Sequence, residues 1–188
     1  MTTATDAGHT LPPVWLLDID GVINALGRNA AFRRAWPDAR WIKTWATDTK
    51  GVAWPMTGAV PVMDFIRRVH DEGLAEIRWH TTWQDSSLQV GEAFELPPFK
   101  VHPASDEEFD TSRRFRSQWW KYPGALRVVE HEGRRLIWTD DDITIELTDR
   151  TIDYFVENHG SLVLCPNSIT GLSPGDLDMI AEHLGVQR

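Results

Sequence analysis

Apolar and polar positions follow two rhythms along this chain. Short apolar segments cover 14–18, 75–80, 135–139 and 161–165, each no longer than a strand and rich in branched or aromatic side chains. Such segments predict strands. Between them the spacing shifts to three and four. In 59–72 the apolar Val62, Met63, Ile66 and Val69 recur at helical intervals, and Gly73 follows where a C-cap belongs. Pro123 predicts the first turn of a second helix, running to Glu132 and stopped by Gly133, with Lys121 just ahead of it. A third helix is expected over 149–158. The last is announced by Ser173 as N-cap, Pro174 at the first helical position, Asp176 in the first turn and Gly185 as the stop. Strands alternating with helices predict an α/β fold: a parallel sheet flanked by helices.

Two stretches escape the pattern. Residues 24–57 separate the first strand from its crossover helix, and 41–54 within them reads as a hairpin turning near Lys50-Gly51. Trp36, Trp41, Trp45 and Trp54 crowd into this segment, which suggests a small inserted flap, or cap, over whatever the first strand carries. Residues 94–120 are rich in Pro, Asp, Glu and Arg and are expected to be loop, and 1–12 a disordered tail. With 188 residues and 41% hydrophobic content, the chain supports one core and one domain, 1–188.

Composition narrows the classes. No apolar stretch reaches the roughly 18 residues of a membrane span, and the polar start lacks the layout of a secretory signal. A soluble, cytoplasmic protein is expected. Cys165 stands alone, so no disulfide framework or cysteine zinc site is predicted, and it reads as a core thiol. The seven histidines have no zinc-ligand spacing. A net charge of −9 disfavours nonspecific adhesion to nucleic acid.

The chemistry begins where the first strand ends, in Leu17-Asp18-Ile19-Asp20-Gly21. A buried strand can carry acids only at its tip. Next along the chain come His80-Thr81-Thr82 after the second strand, then Lys121, then Trp138-Thr139-Asp140-Asp141-Asp142 after a later strand. In a parallel sheet these tips share one edge, where open α/β folds bind ligands. Taken singly, each motif also has a plain reading as a turn, a cap or a surface charge. An EF-hand loop is excluded, because its sixth position needs Gly and the sixth residue from Asp18 is Ile23. Alternation points His80 away from Thr81, toward a packing role.

In this order the motifs resemble the haloacid dehalogenase-like (HAD) superfamily of phosphohydrolases. More narrowly, Leu17-Asp-Ile-Asp-Gly-Val-Ile-Asn24, Trp79-His-Thr-Thr-Trp83, Trp138-Thr-Asp-Asp-Asp142 and Gly171-Leu172 are similar to the HAD domain of bacterial "Swiss Army knife" RNA repair proteins. The resemblance spans about residues 14–184. It implies a Rossmann-like sheet in the order 5-4-1-2-3 and a Mg²⁺-dependent phosphatase. Asp18 would be the nucleophile, forming an aspartyl-phosphate, and Asp20 the acid that protonates the leaving oxygen and later deprotonates water. Thr81, or Thr82 if the strand runs one residue further, would bond a phosphoryl oxygen, Gly21 would border the phosphate, and Lys121 would offset charge. Mg²⁺ would be held by Asp18, the Asp20 carbonyl and Asp140, with Asp141 or Asp142 assisting. Successive acids with no cation would repel one another strongly.

Arg113 and Arg116 lie in a run that interleaves basic and aromatic residues and ends at Trp119-Trp120-Lys121. Such a mixture can hold a phosphate and stack a base, whereas its plain alternative is a helix shoulder whose aromatics are core. The expected partner is a phosphorylated substrate, a nucleic-acid end or a nucleotide. Its rivals are a small-molecule phosphomonoester and, in another class, a noncatalytic phosphate-binding module of a repair system. No obligate protein partner is identifiable.

Overall fold

The computed structural model describes residues 11–102 and 119–188. Residues 1–10 of the expected tail, most of the expected loop, and with it Arg113 and Arg116, lie outside the described residues.

Five parallel strands form the centre, with neighbours in the order β5-β4-β1-β6-β7. They are β1 (Val14–Leu17), β4 (Glu76–Trp79), β5 (Lys100–Val101), β6 (Leu136–Thr139) and β7 (Leu162–Leu164). Every residue of β1 and β6 is buried, as their unbroken apolar runs require of strands with neighbours on both sides and helices on both faces. A separate antiparallel hairpin pairs β2 (Trp41–Thr47) with β3 (Ala53–Ala59). Its turn is closed by Asp48, whose carboxylate accepts from the N–H groups of Lys50 and Val52. The turn falls where the sequence predicts it, whereas the hairpin runs past the expected 54 to Ala59.

Pleating divides the core in two. Trp15 and Leu17 of β1, Ile77 and Trp79 of β4 and Ile137 of β6 face α1 (Val60–Asp71), α2 (Ser87–Ala93) and α6 (Pro174–Leu184), with Ala46 and Met56 of the hairpin joining that layer. Val14 and Leu16 of β1 and Leu136 and Trp138 of β6 face α3 (Lys121–Leu126), α4 (Ile143–Glu146) and α5 (Asp149–His159). On α1 the expected apolar stripe Val62, Met63, Ile66 and Val69 is buried, and Phe65 joins it. α6 begins with a complete capping box, in which Asp176 N–H donates to the Ser173 hydroxyl and Ser173 N–H donates to the Asp176 carboxylate.

The helix expected from Pro123 differs. α3 starts at Lys121, with Trp120 as N-cap, and after Leu126 it widens into a π-helical turn over Arg127–His131. Proline is tolerated in any part of the first turn, where its missing N–H costs nothing, so Pro123 marks that turn without marking its first residue. Lys121 is therefore a helical residue. α2 and β5 have no counterpart in the sequence reading, because seven and two residues are too short to develop a period. Cys165 is exposed, not a core thiol. It lies one residue beyond β7, where the chain has already left the sheet. Among the described residues no helix is long and apolar enough to cross a membrane.

Candidate functional site

Strand register brings the motifs together. Leu17 is level with Trp79 on one side and Thr139 on the other, so Asp18, His80-Thr81 and Asp140 leave the sheet at one edge. The ladder extends past the strands: Asp18 N–H donates to the Thr139 carbonyl (3.1 Å), His80 N–H to Leu17 (2.9 Å) and Asp140 N–H to Leu164 (3.2 Å). From β1 the chain builds β4 and β5 on one side, then crosses to β6 and β7 on the other. The tips of β1 and β6 thus flank a topological switch point, the place where such sheets open a crevice.

Asp18 and Asp140 are buried, and with Asp141 they present carboxylate oxygens within 4.8 Å of one another. From α3, Lys121 reaches this cluster with its Nζ 3.0 Å from Asp18 Oδ2, and it also donates to Asp140 Oδ2. The Thr81 side chain lies beside the Asp18 carboxylate and favours its charged form, and Asp142 N–H donates to Asp140 Oδ1 (3.0 Å). Gly21 is what lets Asp141 fit. Its φ is +71°, and a Cβ there would fall 2.2 Å from the Asp141 carboxyl carbon.

Charge in this cluster is out of balance. Burial pushes the Asp140 carboxyl up to about 8, with Asp18 adding to the rise and Lys121 opposing it. Asp18 is likewise raised, by burial against the pull of Lys121. Asp141 is pushed up to about 6 by burial and by the charges of Asp18 and Asp142. Burial works against the charge on Lys121, but Asp140 and Asp18 outweigh it and hold the ammonium protonated. Among the described residues, one ammonium is bonded to two carboxylates with a third beside them, so a hard divalent cation would find oxygen ligands and a charge deficit to fill.

Asp20 belongs to the same loop but serves another wall. Its Oδ1 accepts from Asn24 Nδ2 (2.7 Å) and its Oδ2 from the Trp83 indole N–H (2.8 Å). Asn24 also accepts from Thr57 N–H of β3 (2.8 Å), tying the acid loop to the hairpin. A groove of about 700 Å³ opens beside Asp20, between the hairpin turn and the segment after β4, and Thr82 and Trp54 border it. Gly171 holds the floor of the acid loop: its φ is +66°, a Cβ there would fall 2.5 Å from the Val22 carbonyl, and Leu172 N–H donates to that carbonyl.

His80 packs, as alternation predicts. It is buried against His102, Trp120 and Trp138, and its Nε2 is 2.9 Å from the Lys121 carbonyl. His102 Nε2 is 2.9 Å from the Gly124 carbonyl, and Arg78 approaches its Nδ1 at 3.4 Å. Burial first, and neighbouring positive groups second, lower His80 well below the usual imidazole range, and burial lowers His102. Both rings are therefore neutral, and the carbonyls they face assign the proton to Nε2. Two imidazoles thus hold the first turn of α3, and with it Lys121.

Of the residues expected at the site, Asp18, Thr81, Lys121, Asp140 and Asp141 converge, Gly21 abuts Asp141, and Thr82 borders the groove. The Asp20 carboxylate is turned toward Asn24 and Trp83. Trp119 and Trp120 are core, Trp119 stacking on Trp138 at 5.2 Å, so these two offer no face to a base. Trp36 and Trp41 anchor the insertion, Trp36 by donating to the Leu172 carbonyl (2.8 Å) and Trp41 by packing edge-on against Phe32; Trp54 alone of the four borders the groove. Sequence reading missed the roles of Asn24, Trp83 and His102. Asn24 and Trp83 sat inside the quoted motifs, but Asn24 acts through Thr57 of β3 and Trp83 through Asp20 of the acid loop, and His102 had no motif at all. No protein-family model matches this chain, and no curated protein matches it significantly.

Proposed function

We propose that this protein is a Mg²⁺-dependent phosphomonoester hydrolase of the HAD-like type, working through an aspartyl-phosphate on Asp18. The observation that carries the reading is the buried triad of Asp18, Lys121 and Asp140 at the sheet's switch point, with Thr81 beside Asp18 and Asp20 oriented separately two residues on. The strand order supports it too, since with the hairpin left out β7-β6-β1-β4-β5 is the 5-4-1-2-3 that the resemblance implies.

In this reading a carboxylate oxygen of Asp18 attacks phosphorus as the bond to the leaving oxygen breaks, and Asp20 gives that oxygen its proton. Water then attacks the phosphorus, Asp20 takes the water's proton, and the bond to Asp18 breaks to release inorganic phosphate. Lys121 lowers the charge repulsion between Asp18 and an incoming phosphate, and the Thr81 hydroxyl turns from Asp18 to a phosphoryl oxygen. The all-oxygen donor set of Asp18, Asp140 and Asp141, together with the Asp20 carbonyl, suits Mg²⁺. The ion would neutralise phosphoryl charge as it develops in the transition state.

The test is hydrolysis of a chromogenic phosphate ester by wild type and by Asp18→Asn, with Mg²⁺ and with chelator. Turnover that needs both Asp18 and the metal is expected. Binding of phosphorylated ligands with no turnover under any metal would replace the enzyme with a phosphate-binding module.

A further inference from the structure

The groove beside Asp20 has walls that select one kind of leaving group. Its aromatic surfaces come from Trp54 at the end of the hairpin and Trp83 after β4, and Leu26 and Pro55 extend them. Both indole N–H groups are already committed, Trp54 to Asp48 Oδ2 (3.0 Å) and Trp83 to Asp20 Oδ2 (2.8 Å). What these two side chains still offer a ligand is ring face. Asp48 Oδ1 accepts from two backbone N–H groups and Asn24 bridges Asp20 to β3, so the polar side chains left to meet a ligand are the exposed Thr49, Lys50 and Thr82. A sugar or polyol needs many free donors and acceptors, whereas a planar ring needs flat apolar surface. Trp54 is 49% exposed although its polar atom is satisfied, so its open face is apolar area that a stacked ring would cover.

Resting on the hydrolase reading above, we infer that this groove seats the base of a nucleoside phosphate, free or at a strand end, whose phosphate lies at Asp18. Asp20 forms the junction: its carboxylate touches Trp83, so a leaving oxygen at Asp20 sends its remaining atoms along the indole toward Trp54. A volume of about 700 Å³ accommodates a ligand of nucleoside size. Because their N–H groups are engaged, the two indoles read a π-face and not a base edge, so stacking on them should bind the four bases with similar affinity.

Calorimetry on the nonhydrolysing Asp18→Asn protein tests this, with adenosine monophosphate and glycerol phosphate as ligands. The expected result is tighter binding of the nucleotide, a loss of about tenfold in its affinity relative to glycerol phosphate in Trp54→Ala, and recovery in Trp54→Phe. Wild type in chelator provides a second nonhydrolysing form should Asp18→Asn misfold. A terminally phosphorylated oligonucleotide that binds more tightly than the mononucleotide, with steep salt dependence, assigns the base to a strand end, and equal binding assigns it to a free nucleotide. Equal affinity for nucleotide and glycerol phosphate, or a Trp54→Ala effect alike on both, overturns the inference. The two readings fail separately. Hydrolysis with no preference for a base removes the groove's role and leaves the enzyme, whereas base binding with no hydrolysis does the reverse.

Discussion

Asp141 has its place because Gly21 has no side chain. A methyl group at position 21 would collide with the Asp141 carboxyl carbon and would also force a non-glycine residue to positive φ. Gly21→Ala should therefore lower stability by about 1–3 kcal/mol and displace Asp141, and urea unfolding with and without Mg²⁺ would report both effects. Asp141→Asn should act in the opposite sense on the metal-free protein. Burial and the charges of Asp18 and Asp142 disfavour the Asp141 carboxylate, so with that charge removed the melting temperature in chelator should rise by the equivalent of about 1 kcal/mol. The increment from added Mg²⁺ should shrink. If Mg²⁺ raises the melting temperature of wild type and Asp141→Asn equally, Asp141 is not a ligand.

Elements deliver these residues with an accuracy that depends on how they are clamped. Lys121 rides on the first turn of α3, and that turn is held by imidazole N–H groups donating to the Lys121 and Gly124 carbonyls. Gly124 allows the rings to approach, for a Cβ there would lie 2.6 Å from His80 Cε1 and 3.1 Å from His102 Cδ2. Gly124→Ala should push α3 away from the sheet, lowering stability by about 1–3 kcal/mol and reducing kcat through a displaced Lys121. The prediction fails if kcat is unchanged while the melting temperature falls. At the far end of the chain, Ser173→Ala breaks the capping box of α6, and a loss of about 1 kcal/mol in urea unfolding is expected.

At the scale of the whole molecule, a charged network holds the sheet's opposite edge. Arg78 of β4 binds Glu132 through both terminal nitrogens (2.6 and 2.8 Å) and Glu76 through Nε (2.9 Å), and Arg134 bonds Glu76 and the Pro12 carbonyl. It joins the segment before β1, β4 and the end of the π-helical turn. Hydrogen bonding from Arg78 is the largest influence that lowers Glu76, to about 2, and it likewise lowers Glu132. Both folded values lie below the unfolded ones, so the unfolded chain binds more protons in acid. Their stabilisation is present above the unfolded value near 4.5 and lost as pH falls toward about 2. Arg78→Met should cost about 2 kcal/mol at neutral pH and flatten that acid limb, as stability against pH for both proteins would reveal. A parallel limb in the mutant would exclude the network as its source.

The elements that sequence alone determined are those whose signal is local. β1 and β6 were legible because a central parallel strand needs an unbroken apolar run. α1 and α6 were legible because a helix with one buried face repeats at three and four and carries caps. The hairpin was legible because its turn requires Lys50-Gly51. The acids were legible as candidates because Asp18 and Asp140 each end a buried run, which apolar burial alone does not explain. Tertiary structure decided the remainder. Only strand order and register could bring Asp18 and Asp140 into one cluster, fit Asp141 against Gly21, turn Asp20 to Trp83, and set His102 against Gly124 of α3. Those contacts join residues distant along the chain, and the free energy that selects them belongs to the packed fold.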